Sequence, residues 1–255
     1  MKKKILSLCL IAIIATMAIA GASLAYLTDT DEAENVFEVG NVQIKLVEEQ
    51  RKLDEDGNKT TELEDFEDYK VLLPLVGSAQ ADKDAIGLPM AANYVDKIVT
   101  VDNVGKNAAY VRIIVAVPSA LDYSDGPLHW NLGNKYNGAT TETYNAEVKW
   151  ECVAEKTDVN GIFCNIYTFT YQTAVESSES TPFAAIVGFY LDPSVDNYVD
   201  DEGNIVYTYK GNDVDYDFSA GVTVPVFAQA VQAAGFETAD SAFTAAALPT
   251  NPWAE

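Results

Sequence analysis

The sequence predicts an all-β protein, a sandwich of two packed antiparallel sheets with long loops and one short C-terminal helix. Three observations carry this reading. Runs of β-branched and aromatic residues recur along the chain and are separated by Gly, Asn and Asp clusters, the pattern of strands and turns. Helical periodicity is confined to one stretch near the end. With 48% of the residues hydrophobic, the chain can bury a full core, which excludes a disordered protein.

The first element is a leader. Met1-Lys2-Lys3-Lys4 precedes an uncharged stretch from Ile5 to Thr28 that ends Ala20-Gly21-Ala22-Ser23-Leu24-Ala25. A basic start, an apolar centre and small residues at the −3 and −1 positions (Ser23 and Ala25) are the marks of a secretory signal cut between Ala25 and Tyr26. The competing reading is an uncleaved anchor, because the apolar stretch exceeds the roughly 18 residues that span a bilayer. A lipoprotein signal is excluded, since Leu8 stands before Cys9 where a small residue is needed. The chain therefore divides into a signal peptide (1–25), an N-terminal segment (26–35) and one sandwich domain (36–255), and the expected location is outside the cell.

Within the domain, apolar positions change from odd to even at Gly40, between Phe37-Val39 and Val42-Ile44-Leu46, as a bulge or tight turn would produce. Residues 49–68 are charged and read as a surface loop centred on Asp54-Glu55-Asp56-Gly57-Asn58. Tyr69–Val76 reads as a short strand interrupted by Pro74, which points to an edge position or a strand end. The clearest strand pair is Val95–Val101 and Ala109–Val117, the second continuous enough in β-branched residues to lie inside a sheet. Residues 118–145 read as a long loop that carries the single histidine, His129, taken here as solvated. Further strands are expected at Val148–Ala154, Ile162–Gln172, Phe183–Leu191, Gly203–Lys210 and Val222–Val231, with a hairpin turn at Asp200–Asn204. Thr238 offers a capping hydroxyl to the alanine-rich run that follows, so a short helix is expected up to Ala247.

Removing residues 1–25 leaves 13 basic against 39 acidic side chains, a net −26. Such a surface has no basic patch to displace counterions from nucleic acid. The remaining cysteines, Cys152 and Cys164, flank Lys156–Gly161; a five-residue loop from Lys156 to Asn160 would set them opposite each other, so either a disulfide or two free thiols is expected. A zinc peptidase needs a ligand set such as His-Glu-x-x-His, which one histidine cannot supply. No Gly-x-Ser-x-Gly elbow is present. No enzyme activity, cofactor or metal site is expected, although acidic turns at Asp54–Asn58, Asp196–Asp201 and Asp213–Asp217 carry oxygens of the kind that ligate calcium. Arg112, one of two arginines in the domain, stands in the most apolar strand and is expected to pair with an acid near a sheet edge.

The segments Ala25-Tyr26-Leu27-Thr28-Asp29, Asn35-Val36-Phe37-Glu38-Val39-Gly40-Asn41-Val42, Ala109-Tyr110-Val111-Arg112 and Val224-Pro225-Val226 through Phe236 together resemble the TasA and camelysin family. The resemblance implies a jelly-roll-like sandwich, export with cleavage by a dedicated signal peptidase, and subunits of biofilm-matrix fibres in a Gram-positive organism. It also implies that the mature N-terminus of one copy completes the sheet of its neighbour. Here that donor strand would be Tyr26, Leu27, Thr28 and Asp29, continuing to about Ala33. The expected partners are further copies of the chain, the signal peptidase and an accessory anchoring protein. Gly87-Leu88-Pro89 stands where the family has Pro-Gly, and the 118–145 loop is long. A monomeric surface adhesin is the alternative, and a camelysin-like metallopeptidase the third reading.

Overall fold

The computed structural model describes residues 25–28, 42–67, 70–79, 81–130, 142–145, 148–216, 218 and 221–254. The leader, Asp29 and the expected switch at Gly40 lie outside these residues. In chain order the strands are β1 (Ala25–Thr28), β2 (Ile44–Leu53), β3 (Lys59–Asp65), β4 (Lys70–Leu72), β5 (Val95–Asn103), β6 (Ala109–Pro118), β7 (Leu128–Trp130) and β8 (Glu142–Asn145). There follow β9 (Val148–Val159), β10 (Ile162–Tyr171), β11 (Ile186–Leu191), β12 (Val195–Val199), β13 (Ile205–Tyr209), β14 (Asn212–Asp213), β15 (Val222–Thr223) and β16 (Val226–Gln232), then helix α1 (Ala239–Ala246).

Two five-stranded sheets, ordered β16-β6-β10-β9-β8 and β3-β2-β5-β11-β7, form the body of an all-β sandwich. A three-stranded sheet, β15-β1-β4, and a small one, β12-β13-β14, flank them. β6 is buried along its whole length because β16 and β10 cover both its edges and side chains cover both its faces. Its odd residues, Val111, Ile113, Val115 and Val117, join Trp130, Phe169 and Phe189 in the core between the sheets. Its even residues face outward into smaller apolar clusters, Tyr110 with Phe243 of α1 and Ile114 with Phe227. This is the period-two alternation of a strand with both faces covered. Trp130 meets Tyr167, Phe169 and Trp150 edge-on at centroid distances of 5.1, 5.9 and 6.3 Å, contacts that add about 0.5–1.5 kcal/mol each to simple burial.

The helix forms as expected: the Thr238 hydroxyl accepts from the Ser241 amide, the Ser241 side chain returns to the cap, and Ala247 closes the end at a φ of 51°. Several other expectations change. Residues 49–68 are not a loop but most of a hairpin, β2 and β3, turned by Asp54–Asn58. Their charge misleads because two of their polar residues, Gln50 and Arg51, are buried among partners. The strand read as Val222–Val231 is broken at Pro225, which has no N–H for the ladder and separates β15 from β16. His129 is not a solvated loop residue; it lies in β7, stacked on Tyr190 at 4.9 Å, with Nε2 3.1 Å from Asp192.

Candidate assembly site: the strand that closes the seam

β1 lies between two short strands that do not pair with each other. It runs parallel to β15, with Leu27 opposite Val222 and Thr28 opposite Thr223. On its other side it is antiparallel to β4, with Ala25 opposite Leu72, Tyr26 opposite Val71 and Leu27 opposite Lys70. The bond expected to be cut, between Ala25 and Tyr26, is therefore inside β1.

Both neighbours lead into the main sheets. β15 is followed by Pro225, whose carbonyl accepts from the Ala116 amide of β6 at 2.9 Å, and then by β16. Beyond β4, Pro74 bridges Leu191 of β11, and the Leu75 amide donates to the Leu191 carbonyl at 2.9 Å. β1 thus joins the margins of the two halves of the sandwich. Its Cα partners Leu72 and Val222 are 1% and 0% exposed. Without β1, the facing edges of β4 and β15 would present unpaired N–H and C=O groups.

A buried ionic clamp holds the β4 side. The Arg51 guanidinium meets Asp96 at 2.7 and 2.8 Å, Asp84 at 2.8 Å and the Pro89 carbonyl at 2.7 Å. Lys59 adds a second cation, 2.9 Å from Asp96. Burial works against the charge on Arg51, yet the two carboxylates outweigh it and raise its pKa; at Lys59 burial prevails and lowers it. The clamp fixes residues 84–96, from which Asn93 donates to the Pro74 carbonyl at 2.8 Å and Ala92 bridges Val76. The chain just after β4 is therefore held by a loop that Arg51 ties to β2 and β5.

The disulfide between Cys152 and Cys164 is not formed; both thiols are free and buried. The hairpin turn is the two residues Asn160-Gly161, not five, since Val159 pairs with Ile162. That register sets Cys152 opposite Tyr167 and Cys164 opposite Thr157. The thiols also point to opposite faces of the sheet, Cys152 into the main core and Cys164 into the outer cluster with Ile166. Burial pushes both up to about 12.

Among the described residues no acid lies within ion-pair distance of Arg112, although the Asp240 carboxylate favours its charge from farther off, and Arg112 is not at an edge. It lies in β6, between β16 and β10, donates to Gln229, and covers the Phe243 ring at 4.3 Å. The acidic turns use their own oxygens: the Asp54 carboxylate accepts from the Asp56 and Asn58 amides, and Asp200 does the same for Glu202 and Asn204. Among the described residues, no three His, Cys, Asp or Glu side chains converge as a metal site.

The sequence reading assigned Tyr26–Asp29 to the sheet of a neighbouring copy; in the structure residues 25–28 pair within their own chain, at the β4 and β15 edges that the reading did not name. Pro74 and Pro225, each interrupting a strand-like run, are the signal that could have found those edges. Fold and seam together define an all-β sandwich closed by its own N-terminal strand. No family model, curated protein or solved structure matches this chain.

Proposed function

We propose that this protein is an exported structural subunit of an extracellular or biofilm-matrix fibre, assembled by passing β1 from each copy to the next. The observation that carries this reading is the position of β1, a short N-terminal strand occupying the gap between two edges that belong to distant parts of the chain. An equivalent strand from a second copy would make the same pairings, so exchange costs little once copies meet. At about 3.3 Å per residue, the chain between Thr28 and Val42 can reach on the order of 45 Å when extended, enough to cross to a neighbour. Donation from copy to copy does not close on itself and generates filaments. A jelly-roll-like topology, removal of residues 1–25 by a signal peptidase and an accessory anchoring protein complete the reading.

The net charge of the mature chain opposes contact between copies, so assembly should speed up with ionic strength as repulsion is screened. The pairing of β1 within one chain favours a second reading, a closed monomer that serves as a surface binding module. Negative-stain microscopy of residues 26–255 at low and high salt separates the two. Filaments that disappear when Tyr26–Ala33 is deleted support strand exchange. Monomers under every condition reject the fibre, and filaments that survive the deletion reject the exchange mechanism alone.

A further inference from the structure

Three basic side chains are buried among the described residues: Arg51, Lys97 and Arg112. Two have carboxylate partners, Arg51 with Asp84 and Asp96, and Lys97 with Glu48 at 2.7 Å. Among the described residues Arg112 has none within ion-pair distance, and Asp240 acts on it only from farther off. It is 6% exposed, its Nε and Nη2 donate to Gln229, and Nη2 also approaches the Leu248 and Pro249 carbonyls at 3.4 Å. The hydrogen bonds that Arg112 makes among the described residues come from Nε and Nη2, and the side chain borders an open cleft.

The register explains where that cleft lies. Gln229, Arg112, Thr170 and Lys149 are successive Cα partners across β16, β6, β10 and β9, and the adjacent row continues through Thr168 and Glu151. These residues form a polar band on the outer face of the sheet, between the apolar cluster under α1 and the one around Ile114. α1 does not close over the band. A cleft of about 530 Å³ remains, lined by Arg112, Thr168, Thr170, Lys149, Glu151 and Asp240. Lys149 meets Asp240 at the rim at 3.2 Å.

The chemistry of this wall is selective. A buried guanidinium bordering an open cleft calls for an anion, and a carboxylate suits it best. A bare anion would nevertheless face Glu151 and Asp240. A ligand that brings hydroxyls as well as a carboxylate satisfies both sets, because its hydroxyls donate to the acids and exchange hydrogen bonds with the threonines. The volume suits a small ligand. We propose that this cleft binds a polyhydroxylated carboxylic acid of the uronic acid class, its carboxylate on Arg112 and its hydroxyls against Thr168, Thr170, Glu151 and Asp240.

Isothermal titration calorimetry of the full chain with D-glucuronate and D-galacturonate tests this, with D-glucose, acetate and sulfate as comparisons. Saturable binding is expected for at least one uronate, with each comparison ligand weaker by about tenfold or more, because each lacks one half of the contacts. Arg112→Gln should abolish uronate binding. Since loss of a buried arginine endangers the fold, Glu151→Gln and Thr170→Val serve as second variants, each expected to weaken binding several-fold without changing the far-UV circular dichroism. No uronate binding, acetate or sulfate binding as tightly as uronate, or binding indifferent to both Glu151→Gln and Thr170→Val would overturn the proposal.

Discussion

Deleting Tyr26–Ala33 should lower stability by an amount the structure allows to be worked out. The deletion empties the place between β4 and β15 and uncovers Leu72 and Val222, now 1% and 0% exposed. Fully exposing such side chains costs about 1.5–3 kcal/mol each, which is an upper bound here because other neighbours remain. The lost strand pairings add about 0.5–1.5 kcal/mol per hydrogen bond. With the burial figure discounted by about half for the neighbours that remain, burial and pairing together give a loss of about 3–6 kcal/mol, or a fall in Tm of roughly 6–24 °C for a chain of this size. Differential scanning calorimetry measures it. A synthetic peptide of residues 26–35, added at about 100 times its Kd, should return about 2.7 kcal/mol by binding the folded state. A deletion variant melting within about 2 °C of the parent would refute the view that β1 closes the seam.

Three further outcomes follow from the same geometry. Arg51→Ala leaves Asp84 and Asp96 without their guanidinium, and urea unfolding should show a loss of about 3–5 kcal/mol. Cys152 and Cys164 should resist a thiol reagent in the native state, because both are buried and held as thiols up to about 12, and should react once denaturant is added; reductant should leave the Tm unchanged. Asp84 and Asp192 are held below the ordinary carboxylate range: burial opposes the charge, but the Leu88 amide and Arg51 at Asp84, and the Ser194 amide and His129 at Asp192, outweigh it. Their contribution is present above the unfolded value near about 4 and is lost as pH falls through the lower folded values. Urea midpoints should therefore drop in that acid window, and Asp84→Asn should flatten the drop.

Strands with both faces covered were easiest to read. The β-branched run at 109–117 identified β6 as interior, and the hydroxyl at Thr238 marked the start of α1, because both signals are local. The ion pairs could not be read that way. Arg51 and Asp96 are 45 positions apart, and only the pairing of β2 with β5 brings them together. Charge in residues 49–68 looked like a solvated loop for that reason. The disulfide expectation failed on register: a two-residue turn at Asn160-Gly161, where both residues have positive φ, moved each cysteine off its expected partner. The receptor for β1 is made of two pieces, three and two residues long, too short to stand out by periodicity.

Whether β1 passes between copies can be read from a single crosslinking experiment. Leu27 and Val222 are Cα partners on adjacent strands, close enough for cysteines placed there to bridge. Chains of residues 26–255 carrying Leu27→Cys alone are mixed with chains carrying Val222→Cys alone, assembled, oxidised and separated on a non-reducing gel. Strand exchange predicts disulfide-linked pairs joining one chain of each kind, appearing with the filaments and absent from monomer fractions. Filaments that yield no such pairs, while a single chain carrying both cysteines bridges within itself, would contradict it.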